Sequence, residues 1–169
     1  MRKTTALAGS AIFFLLAPFV VAGVIPWWIT RWNVAPPLPL GVTQQAAGAV
    51  SIAAGVSVLV YAFGRFVVEG LGTPAPVAPT ERLVVGGPYR YVRNPMYVAV
   101  LAIVVGQAIV FNQAALLRYA LLLFVGFFLF VKVYEEPTLA NRYGAEYEEY
   151  RRAVRGWWPR LRPWERFPP

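Results

Sequence analysis

The chain has 169 residues, 58% of them hydrophobic and 14% charged, with a mean hydropathy of +0.52; that leaves too little polar surface to coat a water-soluble globule, so lipid must act as the outer solvent. The net charge of +8 sits on arginines that flank apolar runs, with no nucleic-acid module in view, so its expected partners are membrane lipid headgroups and no nucleic acid. With no Cys, His or Asp, the chain excludes disulfides, thiolate metal sites, a thiol nucleophile and an imidazole base, and leaves Glu, Tyr and Arg to carry any chemistry with no metal expected.

In chain order, Arg2 and Lys3 precede a first apolar run over residues 7–28. Val20-Val21-Ala22 resembles a signal-peptide cleavage site, but a chain with three further apolar runs favours an uncleaved anchor. A second span is predicted over 46–63, followed by a Gly-, Pro- and Ala-rich strap over 70–79. Two more spans, 96–111 and 114–133, are joined by Asn112-Gln113 and form a helical hairpin. A span needs roughly 17 to 25 apolar residues, because the hydrocarbon layer is about 30 Å thick and each residue rises about 1.5 Å. The third span is short by that measure, so its Asn94-Pro95 start is expected in a recess below the headgroups.

Basic residues orient the spans. Arg2 and Lys3, the connection holding Arg65, Arg82, Arg90 and Arg93, and the Arg-rich tail from Arg142 onward are expected in the cytoplasm, whereas the segment 30–45 and the Asn112-Gln113 turn face outward. Both termini then lie inside, and the expected location is a bacterial inner membrane. Trp27, Trp28 and Trp32 form an outer aromatic belt, and Trp157, Trp158 and Trp164 an inner one. In the tail, Leu139, Tyr143, Tyr147, Tyr150 and Val154 recur at spacings of three and four, predicting an amphipathic helix that lies on the inner leaflet or roofs a pocket, with Gly144 as an interruption. The predicted fold is all-α: four transmembrane helices plus a C-terminal cytoplasmic amphipathic helix (tail 137–169), in one membrane-embedded domain over 1–169.

Two polar clusters lie at the open ends of the hairpin, so folding must bring them to the same membrane face. In Arg93-Asn94-Pro95-Met96-Tyr97, Asn94 is a good N-cap and Pro95 suits the first helical position; the positive helix end, with Arg90 and Arg93 beside it, favours a carboxylate or phosphate. Gly86-Gly87-Pro88 upstream permits a sharp turn. The same residues also describe a well-capped span with ordinary positive-inside arginines. In Tyr134-Glu135-Glu136-Pro137, two adjacent carboxylates stand at a negative helix end and require a cation, with Lys132 or Arg142 as local choices. Pro137 is expected to push Glu136 out of helical geometry and break the span there.

The run Gly87-Pro88-Tyr89-Arg90-Tyr91-Val92-Arg93-Asn94-Pro95-Met96-Tyr97-Val98-Ala99, followed by Glu135-Glu136, Leu139, Tyr143-Gly144, Tyr147, Tyr150, Val154 and Pro159, resembles the isoprenylcysteine carboxyl methyltransferase family over roughly the C-terminal half. That family usually has His and Gly where this chain has Asn94 and Ala99. Asn-Pro-Met-Tyr and Glu-Glu-Pro match the related phospholipid N-methyltransferases instead. The resemblance implies methyl transfer from S-adenosylmethionine to a lipophilic acceptor. It implies a cofactor-binding set of Gly87, Tyr89, Arg93, Asn94, Pro95, Tyr97, Glu135 and Glu136, with Glu135 and Arg93 as the catalytic pair. The donor's carboxylate would meet Arg93 and the helix start, its amino group or ribose Glu135 or Glu136, and its sulfonium the ring of Tyr97. The competing class is a non-enzymatic scaffold or transporter subunit; a cation transporter would favour an acid in mid-span, and this sequence has none.

Overall fold

The computed structural model describes residues 16–36, 41–70 and 82–165, the side chains of 66–70 excepted. The first half of the first predicted span and the strap over 71–79 lie outside these residues. Among the described residues every regular element is helical: α1 (Leu16–Thr30), α2 (Gly41–Gly70), a 3₁₀ turn (Gly87–Arg90), α3 (Pro95–Phe111), α4 (Ala114–Phe130), α5 (Glu136–Tyr143) and α6 (Ala145–Ala153). By length and composition two stretches can cross a bilayer, Gly41–Arg65 and the unbroken helical run Ala114–Tyr143; Leu16–Thr30 and Pro95–Phe111 are apolar but shorter.

α3 is the hub of the bundle. It is apolar on every side, and Ala99, Val100, Ile103, Val104, Gly106 and Ala108 are all buried, as expected of a helix surrounded by others. It packs antiparallel to α2 through small residues, which is how helices associate where lipid removes the hydrophobic incentive. A Cβ on Gly48 would stand 2.8 Å from Gly106 O, and one on Gly55 2.8 Å from Ala99 O, so the two backbones are nearly in contact. Ser51 Oγ donates to Ala102 O (2.9 Å) and Gln44 Nε2 to Ile109 O (2.9 Å), closing the same seam with polar bonds.

α4 returns from α3 through Asn112-Gln113. Asn112 takes the left-handed conformation (φ 53°) that ends α3, a geometry Asn tolerates. The outward face of α4, including Leu117, Leu121, Leu122 and Leu129, is exposed, as a lipid-facing surface should be. α1 is held against the hairpin where it widens into a π turn over Val20–Val24: Tyr119 Oη donates to Val21 O (2.9 Å) and the buried Gln107 Nε2 to Ala22 O (2.6 Å). Bonds from Ala35 N to Phe111 O (3.0 Å) and Gln113 Nε2 to Asn33 O (2.7 Å) fix its far end. Trp27, Trp28 and Trp32 are exposed at that end.

One expectation is corrected. Glu136 stays helical (φ −59°, ψ −47°), and the fourth apolar helix does not break at Pro137. A π turn over Val131–Glu135 precedes it, with Glu136 N bonded to Val131 O; this widened turn lets the run pass Pro137, whose missing N–H leaves out one helical bond, and continue as α5. In the tail, the interruption expected at Gly144 is present. Gly144 (φ 52°, ψ −126°) separates α5 from α6, and from Val154 the chain is extended and folds back across residues 90–94.

Candidate active site

The backbone brings the two polar clusters together at the ends of α3 and α4. Arg93 and Asn94 immediately precede α3, and their N–H groups donate to Arg155 O (2.9 Å) and Gly156 O (3.2 Å) of the returning tail. Asn94 occupies the N-cap position, but contrary to expectation its side chain makes no capping bond; instead it is buried with its Nδ2 unpaired. Pro95 is fully buried at the first helical position, as its fixed φ favours.

Glu135 and Glu136 are neighbours on a helix, so their side chains diverge by about 100° and serve different partners. Glu136 is buried and doubly paired, Oε1 with Arg93 Nη2 at 3.2 Å and Oε2 with Lys132 Nζ at 2.8 Å. These are the cations that an acid at a helix C-terminus requires. Arg93 is nearly as enclosed, and its Nη1 donates to Tyr147 Oη at 3.0 Å, which ties α6 to the start of α3. Glu135 is half-buried and accepts a hydrogen bond from Tyr97 Oη at 3.1 Å. Tyr97 sits one turn into α3, so this single bond spans from the beginning of one membrane helix to the end of the next. Its ring packs on Phe127 (centroids 4.7 Å) and faces Trp157 (6.3 Å).

The floor of the site is a small core of Ala62, Val84, Tyr89, Tyr147, Tyr150 and Val154. The aromatic side of the tail helices therefore packs on protein rather than on the inner leaflet. Tyr150 Oη donates to Tyr89 O at 2.7 Å. Burial pushes the Tyr150 and Tyr147 phenols above their ordinary range. Tyr89 is pushed well above it by burial, and then by the Tyr150 phenol and the Glu135 carboxylate nearby, so all three remain neutral. Gly87 (φ 56°) stands apart from the Arg93 and Glu135 cluster, with Arg65 and Tyr61 of α2 against it; a Cβ there would meet Arg65 Cγ at 2.7 Å.

The donors and acceptors left over have a consistent character. Arg93 Nε and Asn94 Nδ2 are buried donors with no acceptor, and among the described residues Glu135 uses only Oε2. Two donors on one side and a carboxylate oxygen on the other suit a zwitterion carrying both carboxylate and ammonium, with the aromatic rings of Tyr97 and Trp157 beside them to meet a third, cationic group. S-adenosylmethionine has those three charged groups, and the residues present fit it. Two contributors, Tyr147 and Trp157, have no feature in the sequence that separates them from ordinary packing or interfacial aromatics.

Among the described residues every regular element is helical, two helices are long and apolar enough to cross a membrane, and an Arg, Tyr and Glu cluster stands at the helix ends. A family model of phospholipid methyltransferases matches residues 43–146, more than half of the chain and inclusive of both clusters. The chain belongs to the phospholipid methyltransferase family and is an integral membrane methyltransferase. No curated protein matches it.

Proposed function

We propose that this protein transfers a methyl group from S-adenosylmethionine to a lipophilic acceptor at the cytoplasmic membrane face, in the manner of the isoprenylcysteine carboxyl methyltransferases. The observation that supports this most directly is the joining of the α3 start to the α4 end through Tyr97 Oη and Glu135 Oε2 (3.1 Å) and through Arg93 and Glu136 (3.2 Å), beside buried donors that lack acceptors. The topology that goes with this reading is four spans with both termini in the cytoplasm of a bacterial inner membrane, in a single domain over 1–169.

When bound, S-adenosylmethionine supplies an electrophilic methyl group on a cationic sulfur. The protein's part is to position, desolvate and manage charge. Arg93 Nε and Asn94 Nδ2, behind the first turn of α3, hold the carboxylate of the donor, and Pro95 fixes that turn. Glu136 keeps the guanidinium in place from the other side, assisted by Lys132. Tyr97 and Trp157 turn aromatic faces toward the positive sulfur and exclude water. Tyr89 and Gly87 shape the wall beneath, Gly87 by admitting Arg65 and Tyr61 at close range.

Glu135 decides between acceptor chemistries. A carboxylate acceptor needs no base, whereas an amine must shed a proton, and the Glu135 carboxylate, held by Tyr97 through Oε2, is the group we assign to take it. This supports a second reading, N-methylation of a phospholipid amine such as phosphatidylethanolamine. The experiment that tests both is incubation of the purified protein with radiolabelled S-adenosylmethionine and a total lipid extract, with the labelled product identified by mass. A labelled prenylated carboxyl ester supports the first reading and a labelled aminophospholipid the second. No labelled lipid refutes both.

A further inference from the structure

Beyond Ala153 the chain returns across the start of α3 by backbone pairing. Arg155 O and Gly156 O accept from Arg93 and Asn94, and a few residues on, Arg160 N donates to Tyr91 O (2.9 Å). Gly156 is pressed against the site's buried donors; a Cβ on it would stand 3.3 Å from Arg93 Nη2 and 3.4 Å from Asn94 Nδ2. The main chain is thus fixed on both sides of Trp157. Its half-buried indole lies against Phe124 (5.3 Å, edge-on), Phe128 (6.1 Å) and Tyr97 (6.3 Å). These neighbours belong to two different environments. Phe124 and Phe128 are 39% and 38% exposed on the outward side of α4, whereas Tyr97 is bonded to Glu135. Trp157 consequently stands between the lipid-facing surface and the reactive carboxylate.

We infer that Trp157 is a specificity-determining residue: its indole sets the width of the lateral opening between α3 and α4, through which the hydrocarbon chain of the acceptor passes from the site into the bilayer. The inference rests on the second reading above, N-methylation of a phospholipid amine, whose acyl chains run from the headgroup into the bilayer. An acceptor with its head beside Glu135 must lay the first part of its chain along the Tyr97, Trp157 and Phe124 surface, because that is the aromatic path from Glu135 to lipid. A flat, immobile indole there favours straight chains and rejects branched ones by steric exclusion, the mode in which an apolar pocket discriminates. The tail, which carries no acid or base at the site, thereby selects the acceptor.

The test uses the full-length protein in vesicles that contain equal amounts of straight-chain and methyl-branched phosphatidylethanolamine together with a total lipid extract, and reads the chain composition of the labelled product by mass. Trp157→Ala should enrich branched-chain product by roughly tenfold relative to the native protein, the lower end of what one apolar pocket group contributes, and Trp157→Phe should fall between. Trp158→Ala, at an exposed neighbouring position, should leave the profile unchanged. A native-like helical circular dichroism spectrum and a cooperative thermal unfolding transition show that the variants are folded; should Trp157→Ala fail this, Trp157→Phe decides. A native profile in the folded variant overturns the inference and leaves methyl transfer standing, as does an equal shift in Trp158→Ala. Absence of any labelled aminophospholipid with the native protein refutes that second reading, and this inference with it.

Discussion

Glu135 and Glu136 show how adjacent residues of one type acquire separate duties. Glu136 is neutralised by Arg93 and Lys132, whereas among the described residues Glu135 has one phenolic partner, Tyr97, which is why it is the carboxylate we propose for the chemistry. Glu135→Gln should therefore lower both turnover and donor affinity while membrane insertion persists, measured by turnover beside calorimetry; undiminished turnover would remove Glu135 from the mechanism. Tyr97→Phe keeps the ring against Phe127 and Trp157 but removes the hydrogen bond to a charged group, worth about 1.5–3 kcal/mol. Turnover should fall by roughly ten- to a hundredfold without a matching change in donor binding. The Arg93–Glu136 pair is largely buried, so removing one member strands the other: Arg93→Ala should cost about 3–5 kcal/mol in stability. Because Glu136→Ala removes the same interaction, the double variant should lose far less than the sum of the two single losses. Additive losses in a denaturation cycle would mean that the two side chains act independently.

At the scale of elements, the α2–α3 seam determines whether the site can assemble, since α3 carries Tyr97 and stands immediately after Arg93. Gly55→Ala would place a methyl 2.7 Å from Ile103 Cγ1 and 2.8 Å from Ala99 O, and the backbone oxygen cannot swing aside. Overpacking of that kind costs about 1–3 kcal/mol. Gly126→Ala, on the open face of α4 with nothing within 4 Å of its Cβ, is the control and should be neutral or slightly stabilising in the same thermal unfolding assay. Equal stabilities for the two would contradict the close approach. The hairpin and both polar clusters were legible in the sequence, because apolar run length and the Asn112-Gln113 interruption are one-dimensional signals. The π turn at Val131–Glu135 was not. It depends on a carbonyl five residues back accepting a bond, and Pro137 on its own argues for a break rather than for a continuing helix. The tail's return was equally hidden, since main-chain bonds from Arg93 and Asn94 to Arg155 and Gly156 require no particular side chain.

At the scale of the whole molecule, the alternation of helix direction has a consequence that a membrane makes measurable. α1 ends at the turn between α3 and α4, where Asn33 and Ala35 bond Gln113 and Phe111, whereas the tail ends at the opposite pole, where Arg160 and Trp164 bond Tyr91 and Arg90. In the topology we propose, the second pole, where the arginines gather, is the cytoplasmic one. α3 is 17 residues, about 26 Å at 1.5 Å per residue, slightly less than the roughly 30 Å of hydrocarbon, so its Asn94 end is expected to sit within the boundary layer where an acceptor headgroup resides. The chain contains no cysteine, so single cysteines report position without further engineering. Val34→Cys (59% exposed) and Trp158→Cys (74% exposed) mark the two poles away from the catalytic side chains. In intact cells stripped of their outer membrane, an impermeant maleimide should label Val34→Cys at once and Trp158→Cys only after permeabilisation. In inverted vesicles the order should reverse. Labelling of both from one side would place the two poles together and remove the basis for a site that receives its donor from the cytoplasm and its acceptor from the bilayer.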